Sequence, residues 1–149
     1  TSFETSSNAF NVIPQEVKIK GTVRTLDPEV RDLAEKEFLR ITKLTAEALG
    51  GSADAKYTRG YPVMSNSDQQ TEFAAKVARD VSGKCDEAPL VMGGEDFAYM
   101  LEERPGAYIL LGNGDSAPVH NPNYNFNDEA ISIGCSWWAE IIEKRMPVS

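Results

Sequence analysis

The chain has 149 residues, 41% hydrophobic and 26% charged, which suits one domain or parts of two small ones and excludes a disordered or coiled-coil chain. Lys and Arg total 15 against 23 Asp and Glu, a net charge of -8 with no basic stripe, so nucleic acid and anionic membrane are both poor partners. No apolar run approaches the ~18 residues of a spanning helix.

The opening residues, TSFETSSNAFNVIP, carry strand-like composition and no leader pattern, and a chain beginning at Thr1 is expected to start inside a longer protein. Residues 15–25, QEVKIKGTVRT, alternate Val17, Ile19 and Val23 against Lys18, Lys20, Thr22 and Arg24, which predicts a half-buried strand with one wet face. Asp27-Pro28 reads as a cap followed by a first helical residue. Val30, Leu33, Ala34, Phe38, Ile41, Leu44 and Ala48 then recur at helical spacing, and Gly50-Gly51 supplies the stop. Ala53, Ala55 and Tyr57 alternate in a second predicted strand. Strand, helix and strand make a small α+β layer.

Gly60-Tyr61-Pro62 punctuates the chain and marks a boundary near 60–67. A helix is predicted over about 67–82, ending at Gly83, and a short one from Glu95 to about Glu103. AYILL at 107–111 suits a buried strand. Residues 112–126, GNGDSAPVHNPNYNF, form a polar loop of a length that is usually functional or disordered. The last helix starts near Asn127, with Ile131, Gly134, Cys135, Trp138, Ile141 and Ile142 on one face.

His120, in that loop, is the only histidine. It is either a solvated side chain or a metal ligand or general base. A catalytic zinc site needs about three protein ligands, and no ligand-spaced partner such as HxxxH accompanies it. Glu95 and Asp96 follow Gly93-Gly94 at a helix start, where acidic residues suit the helix dipole and where glycine backbone can also approach a ligand. Asn11 and Arg24 read either as a turn residue and a solvated charge or as donors to a carboxylate or oxyanion. Trp137 and Trp138 are expected to split between core and an interface or groove. Cys85 and Cys135 form no CxxC and fit idle thiols in a reducing compartment, hence a cytoplasmic setting. No P-loop, GxGxxG, GxSxG or kinase motif occurs.

Three segments in order, NVIPQEVKIKGTVRT at 11–25, MGGEDFAYMLEERPGAYILLGNG at 92–114 and VHNPNYNFNDEAI at 119–131, with YTRGYPVMSNS at 57–67 between them, resemble the metal-dependent aminoacylase and carboxypeptidase family, nearest its hippurate hydrolases and N-acyl-amino-acid amidohydrolases. The resemblance covers essentially the whole chain. It implies an α/β (α+β) fold in which residues 1–62 are the latter part of an inserted, ferredoxin-like lid or dimerisation domain. Residues 63–149 are then the C-terminal part of a zinc-peptidase-like catalytic domain. The resemblance also implies that the first lid strand and helix, the N-terminal catalytic half, most metal ligands and the family's catalytic glutamate lie outside these 149 residues.

The resemblance further implies two divalent metal ions, zinc or manganese, in the complete enzyme. Its substrate would be a small N-acyl or N-aroyl amino acid, and the lid would make a homodimer. His120 in HNP matches the family's C-terminal metal ligand. Asn11 and Arg24 match lid residues that contact substrate, across the dimer. Gly93 and Gly94 match the glycine turn of the substrate pocket, with Glu95 and Asp96 as its supporting shell. Two alternatives stand beside this reading. One is a non-catalytic fragment or dimerisation module, inactive alone. The other is a relative acting on peptide, folate-type or diaminopimelate-type substrates.

Overall fold

The computed structural model describes residues 1–147. They form a mixed α/β structure with the element order β1 (Ser2–Thr5), β2 (Val17–Lys20), α1 (Pro28–Ala48), α2 (Asp68–Ser82), α3 (Phe97–Glu103) and α4 (Glu129–Arg145). The chain divides into two compact units, Thr1–Gly60 and Tyr61–Ser149.

In the first unit, β1 and β2 pair antiparallel with Ser2 opposite Lys20 and Thr5 opposite Val17. Their connection closes beyond the ladder where Ser6 N donates to Glu16 O at 3.0 Å. Helix α1 starts as its sequence dictates. The Asp27 carboxylate accepts from Glu29 N at 2.7 Å and Val30 N at 3.3 Å, satisfying amides that have no partner inside the helix. Pro28 takes the first turn, where its missing N–H costs nothing. The helix ends as the chain turns left-handed at Gly50, φ 78°, a conformation glycine enters freely. The extended stretch that follows lies along α1: Arg59 pairs with Asp32 and Glu35, each at 2.6 Å, and the Phe38 and Tyr57 rings sit 6.0 Å apart.

The predicted strands need correction. The one expected over 15–25 is laddered only from Val17 to Lys20. Neither 53–57 nor 107–111 is a strand. Alternation decides which side chains share a face, but a strand exists only where its N–H and C=O groups find a second strand. No such partner lies among the described residues. Residues 107–109 are instead held by one side chain: Asn66 Nδ2 donates to Tyr108 O at 2.9 Å, and Tyr108 N donates to Asn66 Oδ1 at 2.8 Å. The expected burial of this run is also only partial, since Leu110 and Leu111 stay exposed.

The second unit's core is small. Val77 is fully buried, Ala74 and Trp137 nearly so, and Phe73, Ala78, Val81, Ala107, Ile109 and Ile141 pack around them. Trp137 Nε1 donates to Ala74 O at 3.2 Å, the partner a buried indole requires. Here too the structure corrects an expectation. Helix α4 turns Ala130 and Trp137 inward, whereas Trp138 is 62% exposed and Ile131 and Ile142 are also open. Apolar residues lie nearly all round this helix, so its periodicity does not choose one face.

Much apolar surface is left uncovered in both units. No residue of α1 is fully buried, and Leu33, Ile41 and Leu44 are all exposed. The chain exposes 12419 Å². Two independently compact domains of these sizes would together expose about 9,000 Å². The amphipathic pattern in the sequence therefore exceeds what these residues bury among themselves.

Candidate functional site

Asn11 and Arg24 belong to the first unit. Val12 N donates to Ala9 O at 3.4 Å, so Asn11 occupies an exposed turn at the far end of the β1–β2 connection. Arg24 lies past the end of β2, not on its polar face as expected. Its Nη1 donates to Thr22 Oγ1 at 3.1 Å, leaving most of the guanidinium's donors free of that contact. The two residues sit on separate exposed segments and do not bond to each other.

Gly93, Gly94, Glu95 and His120 belong to the second unit. A Cβ on Gly94 would stand 3.2 Å from the Tyr61 ring, while one on Gly93 would meet only Val91, at 3.8 Å. Gly94 is thus explained by packing, and Gly93 offers the open backbone. Tyr61 also meets Tyr99 edge-on, ring centroids 5.8 Å apart.

Glu95 anchors the start of α3. Its Oε1 accepts from Phe97 N at 3.2 Å and its Oε2 from the Tyr108 hydroxyl at 3.1 Å. The Phe97 amide first, and the Tyr108 hydroxyl next, hold its carboxyl below the usual carboxylate range. The same bond raises the Tyr108 phenol. A carboxylate whose pKa is lowered on folding stabilises the fold above its unfolded value and loses that contribution as pH falls through the lowered one. The Phe97 amide resonance is therefore expected to titrate with a midpoint below the usual carboxylate range, and Glu95→Gln should abolish the transition. A midpoint at or above that range would contradict the anchor. Asp96 opens α3 with no capping bond from its side chain.

His120 sits in the 112–127 loop, exposed, with φ 67°. It is the one non-glycine residue with positive φ among those described. This left-handed region disfavours a side chain and marks local strain of roughly 1–3 kcal/mol. The tip is ordered by its own bonds: Asn121 N donates to Pro118 O at 3.2 Å, Tyr124 N to Asn121 O at 2.9 Å and Asn123 N to Asn121 Oδ1 at 2.9 Å. Further back, Asn113 Nδ2 donates to Asn125 O at 2.7 Å, Asn127 N donates to Asn113 Oδ1 at 2.8 Å, and Asn125 N donates to Ser116 Oγ at 3.1 Å. Sequence reasoning missed this bracing and the Tyr108–Glu95 bond. The density of Asn and Ser in the loop was the available signal, because these side chains bond readily to nearby backbone.

An exposed imidazole on an ordered tip fits one metal-ligand position. Among the described residues no group of three His, Cys, Asp or Glu is placed to hold a metal, so His120 would be a single contributor to a larger donor set. The two cysteines are free, Cys85 half-buried and Cys135 exposed. No described helix is long and apolar enough to cross a membrane.

Residues 6–144 match the family described as Peptidase family M20/M25/M40. The chain is 34% identical to a hippurate hydrolase of Campylobacter jejuni, over 93% of this chain and 37% of that protein. It is 32% identical to an N-acetyl-L-cysteine deacetylase of Bacillus subtilis, over 93% of this chain and 33% of that protein. Among solved structures it is similar to the Bacillus subtilis YXEP protein, a dinuclear metal binding peptidase from the M20 family. That likeness has a TM-score of 0.78 and 27% identity, and it covers 95% of this chain and 39% of the other. The chain thus spans little more than a third of the length of the relatives it matches.

Proposed function

This chain belongs to peptidase family M20/M25/M40, and on that premise we propose that it is the C-terminal portion of a dinuclear metal amidohydrolase. The reaction is hydrolysis of an N-acyl or N-aroyl amino acid, hippurate-like, to a carboxylic acid and an amino acid. The observation that carries this reading is the 34% identity to a hippurate hydrolase across 93% of the chain. Residues 1–62 would form part of a lid and dimerisation domain and residues 63–149 part of the catalytic domain.

Each candidate residue then has a task suited to its chemistry. His120 would hold one of two divalent ions, zinc or manganese, through an imidazole nitrogen. Metal ions of this kind supply an activated water and polarise the scissile carbonyl. Gly93, with open backbone, would line the substrate pocket beside Gly94. Arg24 would clamp the free carboxylate of the amino acid or steady the oxyanion, with Asn11 as a second donor, both reaching the site of the other subunit in a homodimer.

The test uses the full-length enzyme, meaning a polypeptide of the relatives' length that carries these 149 residues. It should hydrolyse hippurate or N-acetyl amino acids, stop when chelated and recover with zinc or manganese. Residues 1–149 alone should show no hydrolysis with either metal, because they bring together no set of three ligands among the described residues. Turnover that copurifies with the isolated chain would overturn the assignment. So would a full-length enzyme indifferent to chelation. The isolated chain is accordingly read as a non-catalytic module.

A further inference from the structure

The geometry points to Asn113 as a positioning residue for His120, a role that rests on the metal-ligand reading above. The 112–127 loop leaves and rejoins the second unit through two arms, and the Asn113 carboxamide joins them with both of its ends. Its Nδ2 donates to Asn125 O at 2.7 Å and its Oδ1 accepts from Asn127 N at 2.8 Å. Ser116 adds a rung between the same arms, its Oγ accepting from Asn125 N at 3.1 Å. Asn127 Oδ1 in turn accepts from Glu129 N at 3.0 Å, so the returning arm is tied to the start of α4. The span between Ser116 and Asn125 is thereby closed at its base, with His120 near its middle.

Closure matters because His120 is strained. A histidine at φ 67° keeps that conformation only where its surroundings over-determine it. Nothing buries this residue, since it is exposed. The constraint must come from the chain on either side, through the turn bonds at Asn121 and the cross-braces at Asn113 and Ser116. An open loop would let His120 relax to negative φ and swing its imidazole away. Partners that orient a metal ligand are typically worth ~10–100-fold in affinity, and Asn113 would act by fixing the ligand's backbone.

The experiment compares Asn113→Ala, Asn113→Asp and Ser116→Ala with the parent in the full-length enzyme. Asn113→Asp retains the oxygen that accepts from Asn127 N and replaces the Nδ2 donor with an oxygen facing the Asn125 carbonyl. By NMR, Asn113→Ala should cost the Asn127 amide its protection, Asn113→Asp should largely keep it, and both should move the His120 HN–Hα coupling away from its left-handed value. Ser116→Ala removes the acceptor of the Asn125 amide and should cost that amide its protection, while moving the His120 coupling less. Zinc affinity should fall ~10–100-fold in the two Asn113 variants, with kcat restored by excess zinc and KM little changed. Unchanged His120 coupling and amide protection in Asn113→Ala would overturn the positioning role, as would unchanged zinc affinity with the loop demonstrably opened. The NMR readings need no metal. If His120→Ala itself leaves zinc binding intact, the metal reading has failed, and the bracing of the loop is still decided separately.

Discussion

His120→Ala in the full-length enzyme is expected to lose one of two metal ions per subunit and to slow hydrolysis by more than the ~10–100-fold that loss of a mere orienting partner costs. The chain has a single histidine, so it holds no second imidazole to take over. Stability should barely move. The side chain is exposed, so little burial is lost, and alanine at φ 67° meets the same left-handed strain as histidine. His120→Gly sharpens the result. Glycine occupies φ 67° without strain, so this variant keeps the loop's path and removes only the imidazole. It should be as inactive as the alanine variant. Normal metal content and rate in both, measured by metal analysis and hippurate turnover, would remove His120 from the site.

The second large effect concerns Arg24. Arg24→Ala should lower kcat by ~10²–10³ if the guanidinium steadies the oxyanion. If it clamps the substrate carboxylate instead, Arg24→Lys should not rescue the loss, because an ammonium lacks the planar fork that grips a carboxylate. The bland alternative is a solvated charge whose contacts are worth at most ~1 kcal/mol, and its bond to Thr22 Oγ1 at 3.1 Å is compatible with either. Mixed dimers separate the possibilities. One subunit carries Arg24→Ala and the other His120→Ala. If Arg24 serves the neighbouring subunit's site, each mixed dimer keeps one intact site, and random re-assortment of the twofold dimers should restore about a quarter of parental activity. If Arg24 and His120 serve the same site, mixing restores nothing. A fully active Arg24→Ala homodimer would leave Arg24 without a role.

The helices were legible because their signals are local. Asp27-Pro28 at the start of α1, Gly50 after its end and Gly83, at φ 75° after α2, each act through the backbone next to them. Strand pairing was not: 53–57 and 107–111 read as strands but are none, because pairing is non-local and a segment's apolar pattern says nothing about whether a partner is there. The same limit explains α4. Trp137 and Trp138 are adjacent, and the packing of α2 against α4, not the sequence period, decides that Trp137 goes inside. At the candidate site, residue type singled out His120 and the glycine turn, and the resemblance gave them roles. Sequence did not show that Gly94 makes room for Tyr61, or that Asn113 bonds both Asn125 and Asn127 across the loop. Both depend on segments that are not neighbours in the chain meeting in space.

Coordination of His120 can be read directly. Segmental labelling places ¹⁵N-histidine only within these 149 residues, so the full-length enzyme carries one labelled imidazole, and ¹¹³Cd replaces the native metal. A resolved ¹⁵N–¹¹³Cd coupling at His120 is the predicted result. An imidazole that shows no coupling in the metal-loaded, active enzyme would contradict it.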